Sequence, residues 1–119
     1  MTVDEYNIFC ETLPATHYVQ QWGGAHVWKI RPKFFAAAWD DADGLRITFK
    51  ATDMGYEIMR DMPGLRPAPY MASRGMTWIQ HYAAPGLDDD NLKTHIKASY
   101  DMVVAKLTRK QRAELGIEG

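Results

Sequence analysis

Between His26 and Lys50 the chain reads HVWKIRPKFFAAAWDDADGLRITFK, three short runs rich in Val, Ile, Phe, Trp and Thr, separated by Arg31-Pro32 and by Asp40-Asp41-Ala42-Asp43-Gly44. Runs of this kind bounded by turn residues spell consecutive antiparallel strands with tight connections. A meander follows, and the rest of the chain has to cover it. The middle run, Lys33 to Trp39, is apolar in both alternating sets: Phe34, Ala36 and Ala38 in one, Phe35, Ala37 and Trp39 in the other. That predicts a central strand covered on at least part of both faces. In the last run Leu45, Ile47 and Phe49 point one way and Arg46, Thr48 and Lys50 the other, so a one-residue slip would bury two cations. One face is expected to pack and the other to stay polar.

The flanks supply the cover. Thr2 and Glu5 form a capping-box pattern, followed by Tyr6, Phe9, Cys10 and Leu13 at helical spacing, and Pro14 stops that helix. His17 to Trp22 reads as a strand that Gly23-Gly24 turns back toward His26. After the meander, Thr52 caps a weak helix to about Met62, with Met54, Ile58, Met59 and Met62 on one stripe. Gly64 to Gly75, with two prolines, is expected as an extended surface loop, and Met76 to Tyr82 as a fifth strand. Asp88-Asp89-Asp90 opens the strongest helix, marked by Leu92, Ile96, Ser99/Tyr100, Val103 and Leu107, and Thr108 caps a further turn or two. The order α-β-β-β-β-α-β-α predicts an α+β two-layer sandwich: a mainly antiparallel twisted sheet of about five strands with helices packed on one face.

At 119 residues the chain is one domain, 1–119, large enough to bury roughly two-thirds of its unfolded surface without metal or disulfide. Cys10 is the only cysteine, the N-terminal residues carry no signal-peptide pattern, and no apolar run approaches a membrane span. A cytoplasmic protein without membrane association is expected, as a monomer. The net charge of −1 disfavours a strongly electrostatic nucleic-acid binder, so any such binding needs a local patch.

Lys29-Ile30-Arg31-Pro32-Lys33-Phe34-Phe35-Ala36, then Pro67-Ala68-Pro69-Tyr70, then Trp78, then Ser99-Tyr100-Asp101-Met102-Val103 with Leu107, together resemble the successive motifs of the MmcQ/YjbR family over nearly the whole chain. The departure is at Arg31-Pro32, where the family tends to have a small or glycine-containing turn. The resemblance implies a CyaY/frataxin-like fold and a DNA-binding label that rests on fold comparison, and fold does not fix function. It carries no catalytic residue. A frataxin-like fold also raises iron, but the first helix offers only Asp4, Glu5 and Glu11.

Two functional classes emerge. The first is binding of double-stranded DNA through the sheet and its turns by Lys29, Arg31, Lys33, Arg46, Lys50, Arg66 and Arg74, with a secondary basic patch of Lys106, Arg109, Lys110 and Arg112. The plain alternative for these cations is a solvated face that resists edge aggregation. The second class is a ligand- or protein-binding adaptor using the loop 64–75 and its neighbours Trp22, Trp28, Pro67, Pro69 and Tyr70. Trp39 and Trp78 are expected in the core. His17, His26, His81 and His95 lack metal-ligand spacing, so no metal and no cofactor are expected. His95 and Ser99 stand at i and i+4 like a base and a nucleophile, but no oxyanion-hole or nucleophile-elbow motif accompanies them. Ser99 is expected to bond locally or to pack against the first helix, and no enzyme is expected.

Overall fold

In the computed structural model, which describes residues 1–69 and 76–117, α1 (Val3–Thr12) starts at the expected capping box. Thr2 Oγ1 accepts from the Glu5 N–H at 3.1 Å, and the Glu5 carboxylate accepts from the Thr2 N–H at 2.9 Å. The strands β1 (His17–Gln21), β2 (Ala25–Ile30), β3 (Lys33–Asp41) and β4 (Gly44–Lys50) form the meander. Then come α2 (Asp53–Met59), β5 (Leu65–Pro67), β6 (Trp78–His81), α3 (Asp89–Lys106) and α4 (Arg109–Glu114). One open antiparallel sheet results, in the order β1-β2-β3-β4-β6-β5. It has six strands rather than about five, because Leu65–Pro67 of the expected surface loop pairs along β6. Proline is tolerated there because β5 is an edge strand and needs no further ladder donor on its outer side.

The helices bury one face. Tyr6 and Cys10 of α1 and Leu92, Ile96, Tyr100 and Val103 of α3 join Ile47, Phe49 and Ile79 of the sheet in one apolar cluster, and α3 crosses β3 and β4. α2 contributes less than its sequence stripe suggests. Met59 is buried, but Met54 and Ile58 are exposed, because this two-turn helix docks mainly on β5 and β6.

β3 departs from strict alternation. Trp28 pairs with Ala36 but Lys29 pairs with Phe34, so Phe35 is an extra residue, a β-bulge. The bulge turns Phe35 to the helix face with Ala36 and Ala38, edge-on to Tyr100, and leaves Phe34 with Ala37 and Trp39 on the other face. The two aromatic residues therefore exchange the sides that a period of two assigns them. Ser99 occupies the opened ladder: its hydroxyl donates to Phe35 C=O at 2.7 Å and accepts from Lys50 N–H at 2.9 Å. It thus bonds to the sheet, not locally or to α1, because α3 crosses the bulge at this point.

Candidate functional site

The helix-free face of the sheet holds Phe34, Trp39 and Trp78 together with a row of polar side chains. Cross-strand partners share a face, and the row Val27, Ala37, Thr48, Gln80, Arg66 runs across five strands on it. Its centre is polar yet closed: Thr48 is 1% and Gln80 4% exposed. Gln80 Oε1 accepts from Arg66 Nε at 2.9 Å and Nη2 at 2.6 Å, and Gln80 Nε2 donates to Thr48 Oγ1 at 3.3 Å. Arginine has no acceptor, so the amide oxygen has to face it and the amide nitrogen has to face the threonine. The Arg66 guanidinium also lies over the Tyr82 ring, 4.4 Å from its centroid.

Trp22 stands at the end of β1. Its φ of 54° is in the left-handed region, unusual for so bulky a residue and a form of strain that surrounding contacts must hold. The Trp39 indole donates to the Trp22 carbonyl at 3.1 Å, and the Trp22 ring meets Phe34 edge-on at 5.0 Å. Phe34 in turn stacks on Trp78 at 4.4 Å. Trp22, Trp39 and Pro69, together with Thr48, Gln80, Arg46 and Arg66, line a cleft of about 450 Å³, within the size range of small-ligand sites. A second hollow shares Arg46 and Arg66 and runs to Asp43 and Tyr82.

Arg46 also borders the cleft, but its charge is already matched. It holds Asp41 in a two-pronged pair at 3.0 and 2.9 Å, with Asp43 at 3.8 Å. The Arg46 hydrogen bonds, helped by the Asp43 N–H, keep the Asp41 carboxyl below the usual carboxylate range. Arg66 has no carboxylate partner among the described residues.

The other candidates scatter. Lys29 takes an open-face position and donates to Gln21 at 3.3 Å. Arg31 sits at the hairpin tip with φ 58° and is paired with Glu114 of α4, while Lys33 pairs with Ile30, whose side chain belongs to the helix-face core. Strand alternation and the Glu114 contact thus keep these three from forming one stripe. Lys50 lies beside Trp78 on the open face, at the opposite end of β4 from Arg46. Lys106, Arg109 and Lys110 are exposed around the α3–α4 junction, with Arg112 half-buried.

Of the aromatic-loop set, Trp22 and Pro69 line the cleft. Trp28 lies on the opposite face, only 6% exposed, with its indole donating to Asn7 at 2.9 Å, because residues 26, 28 and 30 of β2 share the helix side. Pro67 pairs with the core residue Ile79 and so takes a helix-side position. Tyr70 and Arg74 lie outside the described residues. Trp78 is buried as expected, but on the helix-free face.

Trp39, Thr48 and Gln80 were not singled out from the sequence as site residues. A signal existed for two of them: Thr48 alternates with cations, and Gln80 is a lone amide in an apolar strand. Ser99 is fully buried with its hydroxyl engaged in both directions, and the neighbouring His95 ring stacks on Phe49 at 5.5 Å. Among the described residues no group of three or more His, Cys, Asp or Glu side chains is placed to hold a metal ion.

Residues 11–102 match the family model described as YjbR. The fold is similar to the crystal structure of Deinococcus radiodurans protein DR2400, with domain DUF419, at a TM-score of 0.85 and 21% identity over 98% of this chain and 89% of that one. It is also similar to a Pseudomonas syringae protein, at a TM-score of 0.68 and 18% identity over 86% of this chain and 98% of that one. Identities this low carry the fold alone. No match was found among curated proteins.

Proposed function

The chain belongs to the YjbR family, and from that premise we propose that it is a non-catalytic binding protein whose helix-free sheet face takes a small ligand. One observation carries this reading: a strained Trp22, held by Trp39 and Phe34, lines the same cleft as Arg66, a cation without a carboxylate partner among the described residues. An exposed aromatic edge in one cleft with an anchored guanidinium is a recognition arrangement. The commitment of both Ser99 hydrogen-bonding directions to the backbone supports a role without catalysis. A frataxin-like architecture, a monomer and a cytoplasmic location belong to the same proposal. The buried Cys10, whose thiol burial pushes well up, suits a protein that makes no use of a disulfide.

Duplex DNA binding is the second reading. It is favoured by Lys106, Arg109 and Lys110, which are exposed and without carboxylate partners among the described residues. Two titrations of one ¹⁵N-labelled sample separate the readings. Small aromatic fragments are expected to shift the indole N–H signals of Trp22 and Trp39, and a Trp22→Ala variant is expected to lose that response. Fragments that bind the variant equally well would remove the cleft from consideration. A random duplex, followed by anisotropy at about 50 and about 200 mM salt, is expected to bind weakly at both. Tight, steeply salt-dependent binding that Lys106→Ala with Lys110→Ala abolishes would establish the DNA reading instead.

A further inference from the structure

We propose that the ligand of this cleft is a planar monocarboxylate, a small aromatic or heteroaromatic acid; this rests on the cleft being a binding site. The hydrogen-bonding capacity left over along its polar wall decides the sign of the ligand's charge. Gln80 Oε1 is occupied by two Arg66 donors, and Thr48 Oγ1 accepts from Gln80. What remains among the described residues is one Thr48 hydroxyl lone pair and, against it, the Thr48 hydroxyl hydrogen, the second Gln80 amide hydrogen and the Nη1 side of the Arg66 fork. Donors outnumber the single acceptor, and the charged group among them is a donor. A ligand that faces them presents mainly acceptor oxygens.

The amount of charge follows from the carboxylates nearby. Asp41 and Asp43 both face Arg46, which leaves Arg66 as the cation lining the cleft that has no carboxylate partner among the described residues. One anionic group on Arg66 is matched by one cation. A second negative charge would meet Asp43, which lines the hollow that Arg66 shares. A carboxylate therefore suits the site better than a phosphate dianion or a nucleic-acid backbone, and its two oxygens match the planar guanidinium edge. The rest of the lining is apolar and aromatic: Trp22, 47% exposed, with Trp39 and Pro69. A flat ring is the group that such a lining covers best.

The test uses the full chain with three probes: 2-naphthoate, its neutral analogue 2-naphthamide, and adenosine monophosphate as a phosphate dianion that carries a flat ring. Binding is followed by the Trp22 and Trp39 indole N–H signals and by calorimetry. Naphthoate is expected to shift both signals saturably and to bind at least about tenfold more tightly than the amide, the size of one charge-assisted hydrogen-bond pair. In Arg66→Gln, checked for folding by circular dichroism, acid and amide are expected to bind alike. Equal binding of acid and amide to the unsubstituted protein overturns the charge assignment and leaves the cleft standing as a site. Tighter binding of the monophosphate overturns the single-charge argument. If none of the probes moves either indole signal, the cleft itself fails as a site and this inference fails with it. The acid–amide comparison needs no variant, so it decides the matter even if Arg66→Gln does not fold.

Discussion

Three residues hold backbone geometry that their neighbours cannot supply. Ser99 closes the gap that the Phe35 bulge opens, satisfying one buried N–H and one buried C=O with a single hydroxyl. Ser99→Ala strands both groups and is expected to cost about 2 kcal/mol, read as a lower urea midpoint at unchanged slope. A midpoint within error of the unsubstituted protein would mean that the bulge closes without it. Trp22 supports a comparison between two substitutions. At its φ of 54° the usual order of alanine and glycine should invert, with Trp22→Gly more stable than Trp22→Ala by about 1 kcal/mol. An alanine variant equal to or better than glycine would show that the left-handed backbone is not retained. At Gly64, with φ 88°, an added Cβ would lie 2.1 Å from the Ala83 carbonyl and 2.6 Å from the Gly86 nitrogen, both rigid backbone atoms. Gly64→Ala is therefore expected to lower stability by more than about 2 kcal/mol in the same urea assay.

At the scale of elements, the sequence spoke most clearly where the local signal and the tertiary contacts agree. α3 begins at Asp88, whose side chain accepts from the Asn91 N–H, and buries the residues that its spacing marks. The capping box at Thr2 forms as expected and Thr108 caps α4, with Gln111 completing a box there, because a cap is made within four residues and needs no distant partner. β3 and α2 are the contrary cases. The β3 bulge depends on how α3 meets the sheet, and nothing within Lys33–Asp41 announces it. α2 has an apolar stripe, but with Met54 75% and Ile58 62% exposed, only Met59 and Met62 of that stripe reach the core. Amide exchange in α2 should accordingly be much faster than in α3, which is anchored by five buried positions, Ser99 among them. Comparable protection in the two helices would contradict this picture of a loosely docked α2.

For the whole molecule, acid stability follows from two half-buried histidines. Burial lowers the pKa of His81 and of His95 below the ordinary 6.5. The unfolded chain then takes up protons at a higher pH than the folded one, so stability is complete above 6.5 and is lost as pH falls from there through the lower folded values. The melting temperature should fall between about pH 7 and about pH 5, and less so in His95→Phe, which keeps an aromatic ring against Phe49. A flat profile over that range would mean that neither ring is shielded. The Asp41 shift has the same sign but acts only as pH falls below the ordinary 3.8, and its full exposure leaves it open to solvent screening. The strand meander, the main helix starts and the polar side of β4 are legible in the residues alone. Each of these is set by periodicity or by side chains within a few residues of one another. Tertiary structure alone decided which face Phe34 and Phe35 take, that Trp28 belongs to the core while Trp39 borders a cleft, and that Arg31 is neutralised by Glu114 while Arg66 keeps its charge. These outcomes depend on partners distant in the chain, brought together by strand register and helix packing, and no local pattern encodes them.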